Sequence, residues 1–210
     1  MKISILGFGW FGLPLGKSLK HDFEIHGTTR SAEKLNELEA NGFKASLLNY
    51  PNPPENHLLD SEIFILNIPP FEDELNWFKD WNLNPNIWMI FISSTSQKEV
   101  LLKQEEWVQA HFKTWTILRF GGLVGGSRQP GKYLAGKKNL PGRHWPVKLL
   151  DQKDAIAFTS KVIKEKIQHQ VIDVYEKTDL TREEYYIKYC QENGLEIPEF
   201  DQSDNSVSRS

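Results

Sequence analysis

One cysteine, Cys190, stands in 210 residues, so no intramolecular disulfide can form. The chain has no apolar run of about 18 residues, so no membrane-spanning helix is expected. Its first residues, "MKISILGFGWFGLPLG", have the outline of a secretion signal, a lysine followed by apolar residues. Glycines and a proline interrupt that run, and no small-residue cleavage site follows; a buried strand entering a glycine turn explains it better. Charge of one sign is also missing overall: the net charge of −3 gives no reason to expect nucleic acid or an anionic membrane as partner. The histidines show no metal-ligand spacing, so no metal is expected. Internal repeats and low-complexity arrays are absent. What these exclusions leave is a soluble, cytoplasmic chain long enough for one α/β domain with a sizeable core and a small appendage. Cys190, at an apolar-periodic position of a late helix, reads as a core residue with no basic neighbour to activate it.

Strand-like and helix-like segments alternate. Short apolar runs at 2–6, 23–28, 43–47, 62–68, 87–93, 115–120 and 171–176 read as strands. "EIFILNI" (62–68) and "IWMIFIS" (87–93) are continuous rather than alternating, as in strands covered on both faces. Helical spacing fills 12–20, 33–40, 98–112, 151–166 and 181–193. Ser31 is the expected N-cap of the second helix, Thr181 and Glu184 have capping-box spacing, and Gly194 ends the last helix. Repeated βα units imply a parallel sheet with helices on both faces, a doubly wound Rossmann arrangement. Residues 1–200 are expected to form one domain, with 120–200 contributing a small carboxy-terminal substrate lobe. The polar tail 201–210 lacks an apolar face and is expected to be disordered.

Gly7, Gly9 and Gly12 follow the first strand and open the first helix, the context that a GxGxxG motif requires to mean dinucleotide binding. Gly7 permits the tight turn, Gly9 lets the backbone approach a pyrophosphate, and Gly12 lets helix and strand pack closely. Trp10 and Phe11 complete the loop, and the helix amino terminus offers N–H groups and a positive dipole end. An NAD site usually carries Asp or Glu after the second strand. This chain reads "GTTRS" there. Arg30, with the Thr29 and Ser31 hydroxyls, is placed to meet a 2′-phosphate, which favours NADP over NAD.

"LNIPP" (66–70), "ISSTS" (92–96) and "LRFGGLVGGSRQPGKYLAGK" (118–137) then follow in order. Together with the glycine loop they resemble the atypical extended short-chain dehydrogenase/reductases of the NAD-dependent epimerase/dehydratase-like superfamily, its YeeZ-like members most of all. The resemblance covers about residues 2–200. It implies a strand order of 3-2-1-4-5-6-7. It places Asn67, Ile68 and Pro69 near the nicotinamide ribose, and matches Ser94 to the catalytic serine or threonine that hydrogen-bonds a substrate oxygen. The bland alternative for Ser94 is a polar strand end with no chemistry.

The chain departs from that pattern after Ser94. Active extended members carry a VYG turn, a long loop and a Tyr-x-x-x-Lys pair on the next helix, whereas "SSTSQKEVLLKQEEWVQAHF" runs straight into that helix. No tyrosine occurs between Tyr50 and Tyr133, so the usual acid/base pair is expected to be missing, and Tyr133 is the candidate to replace it. From Arg119 to Leu150 there is no acid, but seven cations and seven glycines. By the resemblance this stretch borders the substrate cleft, where Arg128 and Lys132 would attract a small anionic substrate; a mobile solvated loop is the other reading. Two functions compete. One is an NADP-dependent oxidoreductase or epimerase acting on a small substrate. The other is a non-catalytic NADP-binding redox sensor or regulatory protein.

Overall fold

A computed structural model describes residues 1–49, 52–69, 78, 80, 81 and 83–203. The chain forms two compact units: Met1–Phe120 with Asp154–Val174, and Gly121–Lys153 with the chain from Tyr175 onward. The stretch 120–200 is thus divided, because residues 154–174 belong to the first unit.

The first unit is built on a seven-stranded parallel sheet in the order β3-β2-β1-β4-β5-β6-β9. Its strands are β1 (Lys2–Leu6), β2 (Glu24–Thr29), β3 (Lys44–Leu47), β4 (Ile63–Leu66), β5 (Trp88–Ser94), β6 (Thr114–Phe120) and β9 (Gln170–Val174). The expected order holds, with β9 as the seventh strand of the sheet. All four residues of β4 are buried, as are Trp88 to Phe91 of β5, the pattern of strands covered on both faces. Helices α1 (Gly12–Leu19), α2 (Ala32–Ala40), the single turn α3 (Asn56–Leu59), α4 (Glu99–His111) and α6 (Gln152–Glu165) flank or connect the strands. The main core joins Leu6, Phe64, Met89, Phe91 and Ile117 of the sheet to Leu101 and Val108 of α4.

Local chemistry fixes the helix ends. The Ser31 hydroxyl accepts a hydrogen bond from the Lys34 N–H (3.2 Å), capping α2. In the second unit, α7 (Arg182–Glu192) starts with the reciprocal Thr181–Glu184 capping box and stops before Gly194, whose φ of +63° suits glycine. This unit also holds the parallel pair β7 (Gly122–Val124) and β8 (Leu149–Asp151), and a short helix α5 (Pro130–Leu134). Leu134, Tyr186 and Phe200 form its small core. A Cβ on Gly131 would lie 2.1 Å from the Tyr189 ring, so only glycine allows α5 to sit this close to α7. Cys190 is fully buried against that contact, and burial raises its thiol pKa, as expected of an inert core cysteine. The expected tail begins ordered: the Asp201 N–H donates to Leu140 O (2.9 Å) and Gln202 bonds Glu183 and Arg143. Residues 204–210 lie outside the described residues.

His26 on β2 gives the sheet a pH dependence. It is 3% exposed, and its Nε2 lies 2.8 Å from Glu24 Oε1. Burial depresses its pKa below the ordinary 6.5 more than Glu24 raises it. The unfolded chain therefore binds a proton that the folded chain resists, and this contribution is complete above pH 6.5 and declines as pH falls below it. Glu24, held down to about 2 mainly by Lys44 and then by His26, acts lower, between its ordinary 4.5 and that value. Urea unfolding from pH 8 to pH 5 is expected to show stability falling below about pH 6.5. His26→Gln is expected to remove part of that slope.

Candidate functional site

The glycine loop joins β1 to α1 at the carboxy-terminal edge of the sheet, where the strand order reverses between β1 and β4. In doubly wound folds, ligands bind at this switch point. Gly7 has a φ of +103°, and a Cβ there would lie 2.2 Å from the Asn67 carbonyl oxygen. A Cβ on Gly12 would lie 2.1 Å from Gly7 O. Both glycines are therefore required by backbone packing. Gly9 differs: nothing lies within 4 Å of where its Cβ would be, so its open side faces space rather than protein.

Polar contacts hold the loop in this shape. The Gly7 N–H donates to Thr28 Oγ1 (3.0 Å), the Phe8 N–H to Thr28 O (2.7 Å), and Asn67 Nδ2 to Gly7 O (3.1 Å). Phe8 is the anchor that sequence reasoning missed. Its buried ring occupies space that side chains on Gly27 and Gly16 would need, 2.5 Å and 3.1 Å from their virtual Cβ positions, and meets Phe43 edge-on. The signal was present in those two isolated glycines. Phe11, at the N-cap of α1, is buried and supplies no side-chain cap, and α1 has no acid in its first turn. Trp10 is half-buried at the loop tip. The result is a helix amino terminus suited to an anion.

After β2, Thr29 is largely buried, and its hydroxyl accepts the Ser31 N–H (3.3 Å). Arg30 is exposed beside the amino terminus of α2. The Thr29 and Ser31 hydroxyls thus shape the turn that presents Arg30. After β4, Asn67 and Ile68 are half-buried beneath Gly7, and Pro69 is exposed; Pro70 lies outside the described residues. Ser94 ends β5 half-buried, and its Oγ accepts the Ser96 N–H (3.2 Å), a local turn contact. Its neighbour Ser93 points into a buried cluster instead, donating to Glu105 Oε1 at 2.6 Å.

In the second unit, Arg128 closes a two-bond turn with Gly125 and is exposed, and Lys132 is exposed on α5. The acid-free segment proves to be matched by acids remote in sequence. Arg119 pairs with Glu105, Arg143 with Glu183 (3.0 Å) and Lys138 with Glu199 (3.3 Å). Lys137 Nζ sits 3.2 Å from the centroid of the Tyr133 ring. Tyr133 is 72% exposed, and the hydrogen bond and charge of Lys137 push its hydroxyl below the ordinary tyrosine value. These two residues have the Tyr-x-x-x-Lys spacing, which was legible in the sequence. Reading only the helix after the fifth strand passes it over.

The sheet order and the loop define a Rossmann-like fold, a parallel seven-stranded sheet with flanking helices. No family model matches the chain. Protein YeeZ of Escherichia coli K12 is 25% identical to it, over 95% of this chain and 86% of that protein, in line with the sequence resemblance. Among solved structures, the NADPH-dependent quinone oxidoreductase of Escherichia coli, in complex with NADPH, matches with a TM-score of 0.72 and 15% identity, over 96% of this chain and 78% of that one. A nucleoside-diphosphate-sugar epimerase from Staphylococcus aureus matches with a TM-score of 0.74 and 13% identity, over 97% and 81%. Among the described residues no helix is long and apolar enough to cross a membrane, and no three His, Cys, Asp or Glu stand together as metal ligands.

The loop geometry separates two glycines. Gly9→Ala meets no atom and is expected to change unfolding free energy by less than about 0.5 kcal/mol. Gly12→Ala must displace backbone and is expected to cost about 1–3 kcal/mol or more, measured by urea denaturation.

Proposed function

We propose that the chain is an NADP-binding protein of the atypical short-chain dehydrogenase/reductase type, an oxidoreductase or epimerase-like enzyme acting on a small anionic substrate in the cytoplasm. One observation carries the nucleotide assignment: at the switch point, nothing lies within 4 Å of where a Cβ on Gly9 would be, while Gly7 and Gly12 are locked by backbone contacts. The choice of NADP rests on Arg30, exposed beside the start of α2 where an acid would select NAD. The solved complex of the similar quinone oxidoreductase with NADPH supports the same reading.

In the enzymatic reading, a bound nicotinamide nucleotide would supply the hydride chemistry, and Tyr133 would be the group that gives or takes the proton. Lys137 holds that hydroxyl at a lowered pKa. In the first unit Ser94 is the candidate to orient a substrate oxygen; in the second, Arg128 and Lys132 are the candidates to attract an anion. The second reading, a non-catalytic NADP sensor or regulator, is favoured by α4: its buried residues are Leu101, Gln104, Glu105 and Val108, with no tyrosine or lysine among them.

Calorimetric titration with NADPH and NADH tests the nucleotide assignment. NADPH is expected to bind more tightly. Arg30→Ala is expected to lose about 1.5–3 kcal/mol of NADPH affinity, roughly ten- to a hundredfold, and little for NADH. Gly9→Val is expected to fold and bind neither; equal affinities in the wild type would contradict the assignment. A panel of carbonyl and hydroxy-acid substrates, followed by NADPH absorbance, separates the two classes. In the enzymatic reading Tyr133→Phe lowers turnover about 10²- to 10⁴-fold; a sensor turns over none of them.

A further inference from the structure

Across the carboxy-terminal ends of three strands, Ser93 of β5, Arg119 of β6 and Asp173 of β9 stand in one register row. Glu105, from α4, reaches into that row with a side chain only 3% exposed. Its carboxylate accepts the Ser93 hydroxyl (2.6 Å), Arg119 Nε (3.0 and 3.1 Å) and Arg119 Nη2 (2.6 Å). Arg119 Nη1 also lies 3.9 Å from Asp173. This is a forked, charge-assisted contact with every partner supplied by a different element.

The next residue along each strand points to the opposite face of the sheet. On β5 and β6 those residues are Ser94 and Phe120, themselves register partners. The Thr95 N–H donates to Phe120 O (2.9 Å), continuing the tie. The Phe120 ring packs edge-on against Phe11, the N-cap residue of α1, with centroids 5.4 Å apart. A clamp on the α4 face therefore sets the height and angle of the surface that meets the glycine loop on the other face. In a doubly wound sheet a dinucleotide straddles the switch point: one half lies over β1 and β2, the other over β4, β5 and β6. Arg30 belongs to the first half. The clamp ties β5 to β6 and reaches β9, on the second side of the switch point.

We propose that Glu105 and Arg119 are positioning residues for the nicotinamide half of the nucleotide site, with no role in holding the adenosine half. The proposal rests on the NADP reading above. It explains why the helix following Ser94 buries an acid: that helix fixes the strand ends and leaves proton transfer to other residues. Lysine in place of Arg119 loses the fork and with it the angular restraint.

The test compares two probes, NADPH and 2′,5′-ADP, which carries the adenosine and 2′-phosphate but no nicotinamide. Wild type is expected to bind both; binding of neither overturns the NADP reading itself. Glu105→Gln and Arg119→Lys are expected to weaken NADPH about tenfold or more, with 2′,5′-ADP unchanged within about twofold. Because removing one partner of a buried pair can unfold a protein, the double variant Glu105→Met/Arg119→Met, which leaves no unpaired charge, is measured alongside. The same selective loss of NADPH in the folded double variant supports the proposal. No loss, or an equal loss for both probes, overturns it.

Discussion

The close approach of backbone at Gly7, Gly12 and Asn67 is the constraint on which the rest of the site depends. At Gly7 and Gly12 a single methyl group would collide with a carbonyl oxygen at about 2 Å. Because those side chains are absent, β1 can turn sharply beside the end of β4 and hand over directly to α1. Thr28 and Asn67 then tie the turn to β2 and β4 through three hydrogen bonds. This knot aims the amino terminus of α1 at the carboxy-terminal edge of the sheet and leaves Gly9 with its open side outward. Arg30 on one side and the Phe11–Phe120 contact on the other are placed relative to it. Without the knot, a helix dipole, an exposed arginine and a serine at a strand end are unrelated surface features.

Much of the frame was legible because its causes are local. Continuous apolar runs marked β4 and β5, and Ser31, Thr181 with Glu184, and Gly194 marked helix ends through contacts within four residues. The short elements α3, α5, β7 and β8 were missed because three to five residues show no period. Contacts made at long range were also hidden. The segment from Arg119 to Leu150 looks like a basic surface in the sequence, yet Glu105, Glu183 and Glu199 pair with three of its cations from outside it. Phe8 stands between two glycines in the sequence, and its burial against Gly27 and Gly16 depends on β2 lying beside β1. Tyr133 and Lys137 are the opposite case, since their spacing was in plain view but outside the helix that follows the fifth strand.

The departure from the extended dehydrogenase pattern now has a physical description. In this chain α4 starts at Glu99, five residues beyond the end of β5, and its polar inward residue Glu105 locks to Arg119 and Ser93. A buried carboxylate held by three donors is a fixed structural element. In the enzymatic reading proposed above, acid–base chemistry is left to Tyr133 and Lys137.

Hydrogen–deuterium exchange with and without NADPH tests most directly whether the backbone of the glycine loop holds the nucleotide. The account predicts slower exchange on NADPH addition at the amides of residues 9–13, where α1 begins, and at residues 29–34 around Arg30. Unchanged exchange at residues 9–13 under saturating NADPH would contradict it.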